Sequence, residues 1–291
     1  MPDLGRLKRD RLPHTLPVTA PLYPPPPWPL PGARILKLTF ETDPEATLNW
    51  LPSSLARTSP AYAIVTVAHY PQSPIGPFSV ATQYLGCRAR LFIRAFALHA
   101  VTDKPRAVAA LRELWGFPAR LGRVRLSAGP RAVRARVTVD GRTVADLRLG
   151  RAQTCDPKLI RYDPMLHIRL VPSIQEGKRH SVLEIVQIDP DYRISEALRG
   201  RGELTYPEPG EDAPWHLLQP LNMISATYSV GYRAALGPLR YAVLRVRSDY
   251  AAPASPPARS HRSQPRQCAK TPELALGGLS ARGLLSGGAP S

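Results

Sequence analysis

The chain has 291 residues, 43% of them hydrophobic, which is enough for a real core in one large domain or two ordinary ones. Lysine and arginine outnumber aspartate and glutamate by 39 to 22, a net charge of +17 that would suit nucleic acid or an anionic membrane if it were clustered. It is spread instead, +3 over residues 1–34, +10 over 35–250 and +4 over 251–291, with no long run of like charges and no interleaved aromatics, so neither partner is expected.

In chain order, residues 1–34 form a proline-rich basic arm. Pro24–Pro27 withhold backbone donors, so polyproline II or irregular structure laid over the domain surface is predicted there. Ile35–Glu41 alternates, with Leu36, Leu38 and Phe40 on one face and Lys37, Thr39 and Glu41 on a polar one. Asp43-Pro44-Glu45 places a cap and a first-turn proline ahead of a helix over Ala46–Leu51. Strands follow over Ala61–His69 and Arg90–Ala100, the second long and buried. Asp103-Lys104-Pro105 opens a second helix, Arg106–Trp115, with Val108, Leu111 and Trp115 on one stripe and Gly116 as its stop.

Val133–Leu149 reads as a hairpin turning at Asp140-Gly141. Met165–Val171 and Val182–Ile188 form another around Glu176-Gly177-Lys178, and Arg201–Thr205, Ser225–Tyr232 and Tyr241–Val246 complete the strands. From Ala251 the composition turns to Ala, Pro, Ser, Gly and Arg without periodicity, so 251–291 is read as a disordered tail or an artefact. Strands outnumber helices and no βαβ alternation appears. Residues 35–250 are therefore a mainly antiparallel β domain, barrel-like or sandwich-like, with a few peripheral helices.

Cys87, Cys155 and Cys268 are odd in number, far apart and without a C-x-x-C pair, which favours a reducing, cytoplasmic setting over a zinc site or disulfide framework. No signal peptide and no membrane span is visible. The histidines show no H-x-H or H-x-x-x-H pattern, and His69 and His167 read as packed or edge strand residues. Gly86, Gly116 and Gly122 form no phosphate loop, Ser79 and Ser225 no nucleophile elbow, and Asp189-Pro190-Asp191 is a turn. No metal and no cofactor is expected.

Three groups of residues carry a resemblance. Gly76-Pro77-Phe78-Ser79-Val80, Arg112-Glu113-Leu114-Trp115-Gly116-Phe117-Pro118-Ala119-Arg120-Leu121 and Pro164-Met165-Leu166-His167 occur in the order, and with the spacing, of motifs in the acetoacetate decarboxylase superfamily. Gly200–Leu204 and His216–Leu221 extend the likeness over roughly 20–250. The resemblance implies a closed, cone-like antiparallel β barrel with a buried pocket, assembled as a homo-oligomer. In that family a lysine forms a Schiff base with a β-keto acid, a second lysine lowers its pKa, and a glutamate follows the Gly-Pro-Tyr-Ser segment. Here Ala119, Arg120 and Val80 stand in those places. Alanine has no nitrogen, and arginine stays protonated and cannot form a carbinolamine.

Of the four lysines in the domain, Lys37 lies on a polar strand face and Lys104, Lys158 and Lys178 in turns. All four read as solvated, so the Schiff-base mechanism is expected to be lost. Arg112, Glu113 and Arg120 remain as candidate catalytic groups near a pocket lined by Phe78, Phe117 and Met165. A fixed guanidinium binds a carboxylate or enolate, and a glutamate can move a proton. Two readings stay open: a cofactor-free lyase or isomerase acting on a keto acid or polyketide-like substrate in secondary metabolism, and a pseudoenzyme or small-molecule-binding protein on the same fold. Arg112 and Glu113 are equally well read as a salt-bridged pair supporting the barrel.

Overall fold

The computed structural model describes residues 4–12, 15–189, 191–208, 210–236 and 242–244. The tail expected over 251–291 and Cys268 lie outside these residues. Fifteen strands belong to one sheet: β1 (Trp28–Pro29), β2 (Ala33–Glu41), β3 (Ala56–Arg57), β4 (Tyr62–Tyr70), β5 (Phe78–Ala89), β6 (Phe92–Thr102), β7 (Ala119–Leu121), β8 (Arg123–Ala128), β9 (Ala132–Val139), β10 (Arg142–Thr154), β11 (Met165–Pro172), β12 (His180–Ile188), β13 (Asp191–Thr205), β14 (Asn222–Leu236) and β15 (Ala242–Leu244). Among the described residues two α-helices accompany them, α1 (Pro44–Leu48) and α2 (Pro105–Trp115).

Hydrogen bonding links the strands in the order β15-β12-β11-β6-β5-β4-β2-β14-β13-β10-β9-β8. Most neighbours are antiparallel, but β11 and β7 each run parallel to β6. The path has two ends. Among the described residues no backbone pairing joins β8 to β15, so the sheet curls without closing, where a closed barrel was expected. Its β8 end meets β4, β5 and β6 across an apolar core instead. Leu36, Leu38, Val65, Val67, Ala81 and Leu85 face Val124, Val137, Leu147 and Leu149 there.

The opposite face of β2, β4 and β5 is also covered, by α2 and the N-terminal arm. Tyr23, Trp28 and Leu30 are buried there with Leu111, Trp115 and Phe117. Trp28 packs edge-on against Trp115 at 5.1 Å between ring centroids and gives its indole N–H to Pro24 O at 3.0 Å. Coverage on both sides explains β5, which the sequence reading missed. Phe78–Cys87 are all buried, so the strand lacks the polar alternation that marks a half-exposed one. Strand β6 differs in the other direction, because its first residues, Phe92 and Ile93, are exposed where a buried start was expected.

Local signals elsewhere hold. Asp43 caps α1 by accepting from Glu45 N at 3.0 Å, and Asp140 and Gly141 take φ of 48° and 83° in the β9–β10 turn. Gly116 ends α2 at φ 69°, a left-handed value that favours glycine, and an added Cβ would stand 2.9 Å from Arg169 Cα on β11. The second helix lacks a side-chain cap. Asp103 accepts from Ser79 N at 2.9 Å instead, tying the helix start to β5.

Candidate active site

The register of the sheet assembles the site. Lys37 of β2 pairs with Thr66 of β4, Thr66 with Thr82 of β5, Thr82 with Ala100 of β6 and Ala100 with Ala119 of β7. Directly paired residues project to the same face of a sheet. One row of side chains therefore runs from Lys37 to Ala119 over the face that curls around a cavity.

That cavity has a volume of about 50 Å³. Ile64, Thr66, Tyr70, Phe78, Val80, Thr82 and Tyr84 form its floor, and Lys37 and Ile35 one wall. Leu111 of α2 and Phe117 just beyond it close the cavity, while Tyr162 and Asp163 arrive from the segment before β11, Met165 from the start of β11 and Tyr192 from β13. At roughly 10–15 Å³ of such space per water, the volume holds a few waters, or the reacting end of a short keto acid.

Hydroxyl groups supply most of its polarity. The Tyr84 hydroxyl donates to Met165 Sδ at 3.1 Å, the Tyr70 and Tyr192 hydroxyls lie 3.1 Å apart, and Tyr162 Oη lies 2.7 Å from Ser229 Oγ. Burial raises the pKa of Tyr70, Tyr84, Tyr162 and Tyr192, so all four stay protonated donors at neutral pH. Sulfur is a weak acceptor, so a ligand oxygen can displace Met165 from Tyr84.

Lys37 overturns its expected solvation. Its side chain is half-buried and lines the cavity. Nζ donates to Arg161 O at 2.8 Å and lies 5.4 Å from the Tyr162 ring centroid. Burial lowers its pKa from 10.5, and the Asp163 carboxylate partly opposes that.

The positions singled out in the sequence separate into two groups. Phe78, Phe117 and Met165 line the cavity, as does Val80, and Ala119 is buried beside Val80 and Phe117 in the same apolar cluster. Arg112, Glu113 and Arg120 do not line it. Successive residues of a strand face opposite ways, so Arg120 turns from the Ala119 face toward Asp212, donating to its carbonyl and standing 3.9 Å from its carboxylate. It also helps lower the pKa of His99 to about 4, after burial. Arg112 is exposed. Glu113 accepts from the Tyr23 hydroxyl and so joins the arm to α2.

His167 is packed, as expected. Its Nδ1 donates to Trp115 O at 3.1 Å, its ring centroid lies 3.8 Å from that of Phe117, and burial lowers its pKa to about 3. Lys37, Asp163 and the four tyrosines were missed. Ile35, apolar and two residues before Lys37, was the available signal that this strand face is covered.

Among the described residues, no group of three His, Cys, Asp or Glu side chains could hold a metal ion, and no helix is long and apolar enough to cross a membrane. Cys87 is buried and its pKa is raised to about 12, with burial as the main cause.

Comparison with known proteins places this geometry. The family model described as acetoacetate decarboxylase (ADC) matches residues 15–238. The decarboxylase DEC1 of Cochliobolus heterostrophus is 27% identical over 247 residues, covering 78% of this chain and 93% of that protein. An acetoacetate decarboxylase of Chromobacterium violaceum is 29% identical over 111 residues, 38% of this chain, so the match spans only 45% of that relative's length. Among solved structures, the acetoacetate decarboxylase of Legionella pneumophila superposes with a TM-score of 0.73 at 18% identity, covering 84% of this chain and 98% of that one. The enduracididine biosynthesis enzyme MppR complexed with pyruvate gives 0.66 at 18% identity, covering 82% and 99%. At these identities the structures establish the shared fold.

Proposed function

The chain belongs to the acetoacetate decarboxylase family, and from that premise we propose that it is a cofactor-free lyase- or isomerase-type enzyme acting on a short keto acid, without the family's lysine at 119 or glutamate at 80. The observation that carries this reading is the small cavity lined by Tyr70, Tyr84, Tyr162, Tyr192, Thr66 and Thr82 among apolar side chains. Phenols kept protonated by burial donate to a carbonyl oxygen and polarise its carbon. Asp163, at the rim of the same space, is placed to move a proton. The volume favours a keto acid of a few carbons over a polyketide-like chain. A solved relative on this fold, MppR, has been obtained with pyruvate, which supports the substrate class.

A second reading, a binding protein that has lost turnover, draws on Val80 and Ala119, both of them buried and apolar. One experiment separates the two. Pyruvate and acetoacetate are titrated by calorimetry, and the same samples are followed for carbon dioxide release and for exchange of the protons next to the ketone. Binding with either reaction supports an enzyme, and binding alone supports the pseudoenzyme. Absence of binding by both acids rejects the keto-acid reading.

A further inference from the structure

Resting on the keto-acid reading above, we infer that Lys37 supplies the amine of this cavity and forms an imine with the ketone carbon of a short oxo acid. The family's amine stands at the position held here by Ala119. Lys37 and Ala119 occupy the two ends of one cross-strand row, through Thr66, Thr82 and Ala100. Four strand spacings of about 4.8 Å separate them along the sheet. Lys37 lines the cavity, and Ala119 is buried in the apolar cluster that includes the cavity residues Phe78, Val80, Leu111 and Phe117. In this reading the amine comes from β2 instead of β7.

The surroundings of Lys37 fit that role. It stands between the cavity and an outer cleft of about 280 Å³ lined by Cys155, Arg161, Arg199, Ser225 and Thr227. Asp163, Tyr162, Tyr70, Tyr84 and Tyr192 are the titratable groups on its cavity side. Burial lowers its pKa, which enlarges the neutral fraction a nucleophile needs. A neutral amine that gives one N–H to Arg161 O keeps its lone pair for a carbonyl carbon.

In the reaction, the Nζ lone pair attacks the ketone carbon and the carbonyl electrons move to oxygen. One proton passes from nitrogen to that oxygen, which leaves as water after taking a second proton from solvent. The product is an iminium on Lys37. The protonated phenols of Tyr84 and Tyr70 are the donors available to the departing oxygen.

The test is trapping with borohydride in the presence of pyruvate or acetoacetate, followed by peptide mapping by mass spectrometry. The wild-type chain is expected to carry one reduced adduct on Lys37, with a yield that rises with pH and levels off below the 10.5 of a free lysine. Lys37→Arg keeps a donor for Arg161 O and should lose the adduct while retaining its melting temperature. An adduct on another lysine overturns the inference. So does the absence of any adduct when calorimetry shows that the acid binds, and in that case the keto-acid reading survives. Absence of both adduct and binding overturns both. Should Lys37→Arg fail to fold, the site of the wild-type adduct alone decides.

Discussion

Two neighbouring residues show how strongly strand geometry governs chemistry here. Ala119 and Arg120 are adjacent on β7, yet one is buried beside the cavity and the other exposed toward Asp212. Arg120→Ala should change pyruvate affinity by less than about 2-fold, because the guanidinium lies outside the cavity and an exposed ion pair contributes little. Tyr84→Phe, which removes one cavity donor, should weaken it by about 10-fold, the equivalent of one lost hydrogen bond. Equal effects of the two substitutions in a calorimetric titration would remove the tyrosine-lined cavity from consideration.

Restoring the family's lysine is informative for the same reason. Ala119→Lys alone places an unpaired amine in an apolar cluster and should cost about 3 kcal/mol in urea denaturation. Adding Val80→Glu, which lies in the same cluster, should recover part of that loss. A double variant no more stable than the single one would show that positions 80 and 119 do not meet.

At the scale of elements, helix α2 is held by its two ends. Its start is tied to β5 through Asp103, and its last turn docks on β11 through Gly116 and His167. Gly116→Ala combines a left-handed φ with a close approach to Arg169 Cα, and should destabilise the fold by about 1–3 kcal/mol.

His167 makes this junction sensitive to acid. Burial holds it neutral, with a pKa of about 3 against 6.5 for a free histidine. As pH falls below 6.5 the unfolded chain takes up a proton that the folded chain refuses. The stability fully present above that pH is then lost progressively toward pH 3, by about 2 kcal/mol at pH 5. His99, lowered to about 4, adds a loss of the same sign. Urea midpoints of the wild type and of His167→Gln at pH 7.5 and 5.0 check this. The drop between the two pH values should shrink in the variant, and an unchanged drop would assign the acid sensitivity elsewhere.

For the whole molecule, the arm is part of the core. Trp28 is fully buried between Phe78 and Trp115, so Trp28→Ala should cost about 4 kcal/mol, read from thermal or urea unfolding. The sheet also gathers charge that is scattered along the chain. Arg125, Arg134, Arg136 and Arg148 line one surface cleft of about 550 Å³, where Asp146 pairs with Arg136, and Glu203 pairs with Arg148.

The features legible along the chain were local or motif-borne: the two helices with their proline starts, the Asp140-Gly141 turn, the strand-rich class and the family. These depend on neighbours in the chain or on an ordered set of short motifs. Which strand faces are wet followed from the packing of distant segments. Strand β5 escaped notice because it is buried on both sides. Lys37 read as solvated because an alternating strand cannot reveal that a second layer, here α2 and the segment around Tyr162, covers its polar face. Solvation of a side chain is a property of what folds over it, and that covering comes from residues more than sixty positions away.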